Sequence, residues 1–244
     1  MIYLFTDYGH QGPYLGLLEA ALRREAPDLP VIHLMADAPA MDPEKSSYLL
    51  AALETELAPG ATILAVVDPG VGGPRAPIMV EAGGRCFVGP DNGLLDGVAA
   101  NHPSARWYEI LWRPERLSPT FHGRDLFAPV AARLAMGRDP GPRLPLERGG
   151  RVNRPKDCPE ILYVDGFGNA ITGLTDRAEF RGRRLRVLGT SLKEATTFSE
   201  VPPGTPFWYR NSIGLVEIAA HGTPVAAQLA GVGVGTPVSF EDPF

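Results

Sequence analysis

Six short polar motifs each follow an apolar run of this chain, and they carry groups that handle protons and polar ligands. The motifs are TDYG at 6–9, DPGVGGPR at 68–75, GPDNG at 89–93, FHGRD at 121–125, DGFGN at 165–169 and RNS at 210–212. Open α/β sheets bind their ligands at strand ends. If the apolar runs are strands, the motifs therefore predict a small-molecule site.

Three side chains form a candidate proton-handling set. Asp68 ends the most apolar run of the chain, and the glycine turn after it allows Arg75 to fold back towards the carboxylate. Alone, these two residues are equally compatible with a structural ion pair in a rigid turn. His122 adds a third group at another loop of the same predicted sheet, and the three together favour catalysis.

Two further polar side chains of the first half are candidates for ligand binding. Asp7 follows the first apolar run, where its carboxylate can accept two hydrogen bonds from a ribose diol or can equally well cap a helix. Asn92 either lies near the site or serves only the turn that its Asn-Gly dipeptide predicts.

The DGFGN motif of the second half suits a purine. The ring of Phe167 can stack on a base, and the amide of Asn169 offers the donor and acceptor that an adenine edge requires. A β-turn with a buried phenylalanine is the alternative interpretation of the same residues.

Composition and missing motifs exclude several function classes. The chain has 244 residues with a net charge of −5, and no basic run is longer than residues 181–184. We therefore expect no nucleic-acid partner. The turn after the first predicted strand lacks the G-x-G-x-x-G of dinucleotide-binding proteins, and no phosphate-binding P-loop sequence occurs.

The histidines and cysteines are too scattered for a metal site, so we expect no metal. No run approaches the ~20 apolar residues that span a bilayer, which argues against a membrane partner. The N-terminal run stops at Asp7 without a basic leader, and Cys86 and Cys158 are lone cysteines. These features predict a cytoplasmic protein.

The apolar patterns predict an α/β fold in two domains. In the first, strands at 2–6, 30–35, 61–67, 77–82 and 85–89 alternate with helices at 13–26, 43–57 and 124–136, which predicts a mostly parallel sheet. Residues 139–159 are rich in Pro, Gly and Arg, so the predicted domains are 1–150 and 151–244. Short runs at 160–164, 169–174, 184–189, 206–210, 214–220 and 236–240 predict a small β-barrel-like domain.

The motifs and their order, through nearly the whole chain, resemble the S-adenosylmethionine (SAM) hydroxide adenosyltransferases, which are relatives of the fluorinating and chlorinating enzymes. The resemblance implies hydrolysis of SAM to adenosine and L-methionine, with SAM as substrate and no cofactor. It implies that Asp68, Arg75 and His122 handle the water that displaces methionine at C5′. It also implies a homotrimer with its sites between subunits.

The resemblance extends to the substrate-binding residues. It implies that Asp7 holds the ribose hydroxyls and that the motif with Asp165, Phe167 and Asn169 holds the adenine and the methionine end. It assigns the methionine carboxylate to Arg210, Asn211 and Ser212, and the adenine to the backbone around Glu217 and Ala219. Residues 221–225 depart from the family pattern, so the resemblance does not describe that part of the adenine pocket.

Two alternatives remain at this point. A halogenase would bind a halide through hydroxyl and backbone N–H groups, and the resembled halogenases lack the Asp–Arg–His set found here. A non-catalytic SAM- or nucleoside-binding protein would not need three converging proton-handling groups.

Overall fold

The structure is a computed structural model that describes residues 1–147 and 154–242. The chain divides into two compact units, Met1–Arg154 and Pro155–Phe244. The domain boundary predicted between residues 150 and 151 lies outside the described residues.

The first unit contains one seven-stranded sheet with helices. Its strands are β1 (Ile2–Thr6), β2 (Val31–Met35), β3 (Thr62–Val66), β4 (Pro77–Ala82), β5 (Arg85–Pro90), β6 (Arg106–Ile110) and β7 (Arg143–Leu146). Its α-helices are α1 (Tyr14–Glu25), α2 (Pro43–Leu53), α3 (Asp96–Asn101) and α4 (Ala128–Ala135). The order in the sheet is β2-β1-β3-β5-β4-β6-β7.

The prediction of a mostly parallel sheet is correct for only half of it. β2, β1, β3 and β5 are parallel neighbours, and every residue of β3 is buried, as its apolar sequence predicts. β4 is the first strand of the predicted β4–β5 hairpin, so it runs antiparallel to β5. β6 and β7 continue antiparallel beyond it, which makes the sheet mixed.

Apolar faces of α1 and α4 pack with the sheet in one core. Leu18 and Leu22 of α1 join Val130 of α4 and Leu64 of β3 there, and each is almost fully buried. Two predicted helices differ at their ends. The helix expected at 43–57 leaves α-helical geometry after Leu53 for a 3-10 turn, and the one expected at 124–136 begins with a π-helical turn at Gly123–Phe127.

The second unit is built from short antiparallel strands. They are β8 (Cys158–Val164), β9 (Ala170–Thr175), β10 (Leu185–Val187), β11 (Thr190–Leu192), β12 (Pro206–Arg210), β13 (Leu215–Ala220) and β14 (Val238–Phe240). One sheet has the order β12-β13-β9-β8 and the other β11-β10-β14. Isolated bridges join Glu160 to Pro237 and Glu194 to Trp208. Within the described residues, no helix has the length and apolar character needed to cross a membrane.

Candidate active site

Three parallel strands end at the same edge of the first unit's sheet, and each is followed by a candidate polar residue. Asp7 comes directly after β1, Asp68 is the second residue after β3, and Asn92 is the second after β5. Because β1, β3 and β5 are parallel neighbours, their carboxyl ends lie side by side.

At this edge, the structure brings Asp68, Arg75 and His122 into direct contact. Nε of Arg75 donates to both carboxylate oxygens of Asp68, at 3.0 and 3.1 Å, and Nη2 also donates to Oδ2. The same Nη2 lies 2.9 Å from Nδ1 of His122. The Asp68 and Arg75 side chains are 5% and 10% exposed, and His122 is 9% exposed. One guanidinium therefore links the acid to the imidazole.

The glycines of the DPGVGGPR turn permit this arrangement. Gly72 has a φ of +78°, and a Cβ on it would lie 2.4 Å from the carbonyl oxygen of Pro119. The turn therefore packs directly on the segment that leads to His122. The guanidinium of Arg75 also lies 5.3 Å from the ring centre of Phe127, within cation–π range.

His122 immediately precedes the π-helical turn. The N–H of Ala128 donates to the carbonyl of Gly123, five residues earlier, so the hydrogen bond spans one residue more than in an α-helix. Such turns are frequent at functional sites, and this one fixes the direction from which His122 approaches Arg75.

Burial lowers the pKa of His122, and the positive charge of Arg75 lowers it further. The neutral imidazole is therefore the favoured form near pH 7. Arg75 donates to Nδ1, so the proton of the neutral ring lies on Nε2. In this state His122 is a hydrogen-bond donor through Nε2, and Asp68 accepts hydrogen bonds from Arg75 through both carboxylate oxygens.

Asp7 does not cap a helix. Its Oδ2 accepts the N–H of Met41 at 2.9 Å, whereas α1 begins after Pro13 without a side-chain cap. Burial raises the pKa of the Asp7 carboxyl. Met41 has a φ of +56°, an uncommon conformation for a residue with a side chain, and such conformations cluster at functional sites.

Asn92 braces the strand that carries Asp68. Its Nδ2 donates to the carbonyl of Val67 at 2.8 Å, and its Oδ1 accepts from the N–H of Leu94. The side chain therefore forms the predicted local turn, and it also fixes the position of the residue before Asp68.

Tyr8, which the sequence motifs did not single out, also lies at this site. A Cβ on Gly123 would lie 2.3 Å from the Tyr8 hydroxyl, so the phenol packs directly against Gly123, the residue that follows His122. Its ring also makes edge contacts with Tyr14 and Phe121. The available signal is the TDYG motif itself, in which the tyrosine directly follows the candidate aspartate.

The second unit contains a cavity of about 830 Å³. Six of the predicted binding residues line it: Asp165, Phe167, Asn169, Asn211, Ser212 and Glu217. Thr223 and Pro224, from the segment that departs from the family pattern, line it as well. Residues that the sequence did not indicate also line it, among them Ile171, Phe198, Tyr209 and Ile213.

The DGFGN motif forms a turn held by its own aspartate. Oδ1 of Asp165 accepts the N–H groups of Phe167 and Asn169, at 2.9 and 2.8 Å, and Oδ2 accepts the side-chain amide of Asn169. Phe167 is 82% exposed, which excludes the alternative of a buried phenylalanine. The turn thus presents a free aromatic face.

A buried carboxylate forms part of the cavity wall. Oε1 of Glu217 accepts from the Tyr209 hydroxyl, and Oε2 accepts from Nδ2 of Asn211 at 2.9 Å. Along β13 the neighbours Val216 and Ile218 point into the apolar core, so Glu217 points to the opposite face. Burial raises its pKa above the ordinary range for a glutamate.

The side chains of Arg210 and Ala219 do not line the cavity, and the predicted adenine contact of the Ala219 backbone stays a prediction. Arg210 follows Tyr209 on β12 and points to the other face, where it lies 3.9 Å from Asp176. Ala219 packs in a small apolar cluster with Phe207 and Ala195. Among the residues that the structure describes, no group of His, Cys, Asp and Glu side chains has an arrangement suited to a metal ion.

Comparison with known proteins places this geometry in a family. Residues 2–142 match the model of the SAM hydroxide adenosyltransferase N-terminal domain, and residues 159–239 match that of the C-terminal domain. The chain belongs to the SAM hydroxide adenosyltransferase family. The two matched ranges fall on either side of residues 143–158, within which the two units of the structure meet in sequence.

Similar proteins are known in sequence and in structure. An (R)-S-adenosyl-L-methionine hydrolase of Thermus thermophilus is 38% identical over 97% of this chain and 98% of its own length. A fluorinase of Nocardia brasiliensis is 30% identical over 60% of this chain and 57% of its own. The crystal structure of an uncharacterized conserved protein from Thermotoga maritima has a TM-score of 0.85 and 31% identity, covering 99% of this chain and 100% of that one.

Proposed function

We propose that this member of the SAM hydroxide adenosyltransferase family is an enzyme that hydrolyses SAM to adenosine and L-methionine. Similarity to a SAM hydrolase over nearly the full length of both chains supports this reaction, and it favours hydrolysis over halogenation. The observation that carries the proposal within the molecule is the guanidinium of Arg75, bonded at once to Asp68 and His122.

In the proposed reaction, water attacks C5′ of the substrate in line with the sulfonium. The C5′–O bond forms, the C5′–S bond breaks with its electron pair going to sulfur, and one proton is released to solvent. Asp68 accepts a hydrogen bond from the water, His122 donates to it through Nε2, and Arg75 stabilises the developing hydroxide. Charge disperses as hydroxide meets the sulfonium, so a site from which water is excluded favours the transition state.

We assign the substrate groups to the two units separately. Asp7 in the first unit is proposed to hold the ribose, with Asn92 supporting the strand end that carries Asp68. In the second unit, the cavity with Asp165, Phe167 and Asn169 is proposed to hold the adenine and the methionine end. Asn211, Ser212 and Glu217 complete its wall.

Other parts of the proposal follow the family resemblance and the sequence. We propose that the enzyme is a cytoplasmic homotrimer and needs no cofactor. We also propose a barrel-like second unit, because the isolated bridges from Glu160 and Glu194 connect its two sheets at both edges.

The reaction is tested by incubating the pure protein with SAM and identifying the products by mass. We expect adenosine and methionine in equal amounts, with the same rate before and after treatment with a chelator. Formation of 5′-chloroadenosine in chloride buffer at a comparable rate would instead assign the protein to the halogenases. Binding of SAM without any turnover would show a sensor.

A further inference from the structure

The charged side chains that line the cavity of the second unit are all negative. Two carboxylates, Asp165 and Glu217, are among its lining residues, and none of the described residues that line it is a lysine, arginine or histidine. A ligand that carries a positive charge would therefore be favoured over a neutral one of the same shape.

The two carboxylates are not equivalent. Asp165 accepts three hydrogen bonds within its own turn, two of them from backbone N–H groups, so its charge is dispersed over local donors. Within residues 1–147 and 154–242, Glu217 receives two side-chain donors, both neutral: the Tyr209 hydroxyl and the Asn211 amide, one on each oxygen. Each of its oxygens keeps a lone pair for a further donor.

The burial of the Glu217 carboxyl also favours the binding of a cation. The residue is 4% exposed, and burial raises the pKa of its carboxyl, with the nearby charge of Asp165 acting in the same direction. A buried carboxylate without a cationic partner is held at an electrostatic cost, and an ammonium group from a ligand would offset that cost.

We propose that the side chain of Glu217 is a specificity-determining group that binds the α-ammonium of the amino-acid part of the substrate. The inference rests on the proposed function, in which the substrate is a nucleoside joined to an amino acid. In this role, Tyr209 and Asn211 are positioning residues that aim the carboxylate. Glu217 thereby distinguishes the whole substrate from nucleosides that lack the amino acid.

The test compares two stable ligands by calorimetry. S-adenosylhomocysteine carries the α-ammonium, and 5′-methylthioadenosine has the same nucleoside and a neutral sulfur but no amino acid. In Glu217→Gln we expect the Kd of S-adenosylhomocysteine to rise about tenfold to a hundredfold, as for loss of a charged hydrogen bond, while that of 5′-methylthioadenosine is unchanged. Glu217→Asp, which keeps the charge, should retain most of the preference.

The matched control is Glu179→Gln, an exposed glutamate of the same unit whose carboxylate lies 3.4 Å from Arg177. It should leave both affinities unchanged. Equal weakening of both ligands in Glu217→Gln, or no weakening of either, would overturn the proposal. Equal weakening would indicate either contact with the adenine or a structural role of Glu217. The melting temperature of Glu217→Gln separates the two, because only a structural role lowers it.

A ligand-side measurement keeps the test open if Glu217→Gln does not fold. The deaminated analogue of S-adenosylhomocysteine should bind the wild-type protein at least tenfold more weakly than the parent, and equal binding would overturn the proposal. Hydrolysis is assayed in parallel. If adenosine forms but the two ligands bind equally well, the hydrolase proposal stands and the role of Glu217 is overturned. If the ligands bind with different affinities but no adenosine forms, only the hydrolase proposal is overturned.

Discussion

The contact between Asp68 and Arg75 has two explanations that predict different mutant behaviour. A structural ion pair contributes stability, and removing one partner leaves a buried charge at a cost of about 3–5 kcal/mol. A catalytic set that also includes His122 contributes turnover. The two roles are compatible in one molecule, so only measurements of both quantities on the same variants separate them.

The first prediction concerns the set as a unit. Asp68→Ala, Arg75→Ala and His122→Ala should each lower kcat by about a hundredfold or more, since each removes a group that acts on the same water. Their effects should be far from additive. The control is the double variant Asp68→Ala with Arg75→Ala, which should regain thermal stability without regaining turnover. Normal kcat in His122→Ala would contradict the catalytic role.

The second prediction concerns pH. The pKa of His122 is lowered in the folded protein, so the ring should stay neutral and kcat constant down to about pH 6.5, the ordinary histidine value. Further acidification should reduce kcat, because a protonated Nδ1 no longer accepts from Arg75.

Protonation of His122 also affects stability. Between its folded and unfolded pKa values the unfolded chain binds more protons, so the free energy of unfolding should fall as the pH drops below about 6.5. The control His33→Gln alters a surface histidine paired with Glu19 and should keep the kcat profile. An inflection of kcat above pH 7 that disappears in His122→Gln would contradict the lowered pKa.

At the scale of elements, the turn between β3 and β4 determines whether the site forms. Gly72→Ala introduces both a left-handed alanine and a clash with the carbonyl oxygen of Pro119. Gly60→Ala is the matched control, because Gly60 has a φ of +74° with no atom within 4 Å of the added Cβ.

The third prediction compares these two variants. Both should lose about 1–2 kcal/mol of unfolding free energy to the left-handed backbone. Only Gly72→Ala should lose more than that, and only it should reduce kcat, since its turn must move off the segment before His122. Urea unfolding and steady-state assays measure the two effects. Equal behaviour of both variants would show that the clash is relieved without moving the site.

Sequence patterns predicted the elements with strong periodicity or apolar runs, including β1, β3, the β4–β5 hairpin and α1. They missed α3, which has only six residues and is too short to show a helical period. They also missed β7, which lies in a Pro-rich stretch. β7 tolerates Pro145 because it is an edge strand, and its identity as a strand depends on pairing with β6.

The grouping of Asp68, Arg75 and His122 was predictable because their side chains are chemically distinctive, and the structure places them in contact. Tyr8 and Tyr209 were not predictable, because an aromatic residue in a strand or turn is ordinary until its neighbours are known. Arg210 was indicated by its motif, but alternation along β12 directs it to the face opposite Tyr209. Side-chain direction thus depends on strand phase, which a short motif does not fix.

At the scale of the whole molecule, the fourth prediction concerns assembly. The homotrimer is proposed from the family resemblance, and Tyr14 and Phe167 are aromatic side chains that are more than half exposed in the isolated chain. The proposed homotrimer should sediment at three times the chain mass at micromolar concentration. A monomer that forms adenosine at full rate would contradict the trimer while leaving the hydrolase proposal intact.

The π-helical turn at Gly123–Phe127 restricts the changes in length that this segment can tolerate. Each residue of an α-helix advances the chain by about 100° around the axis. Deleting one residue from this turn would allow ordinary α-helical winding to continue back from α4, and the imidazole of His122 would rotate away from Arg75 by about that angle. Surface loops tolerate changes in length. For this segment we instead expect a one-residue deletion to lower kcat as strongly as loss of His122 does, while the deletion of one residue from an exposed loop leaves kcat unchanged.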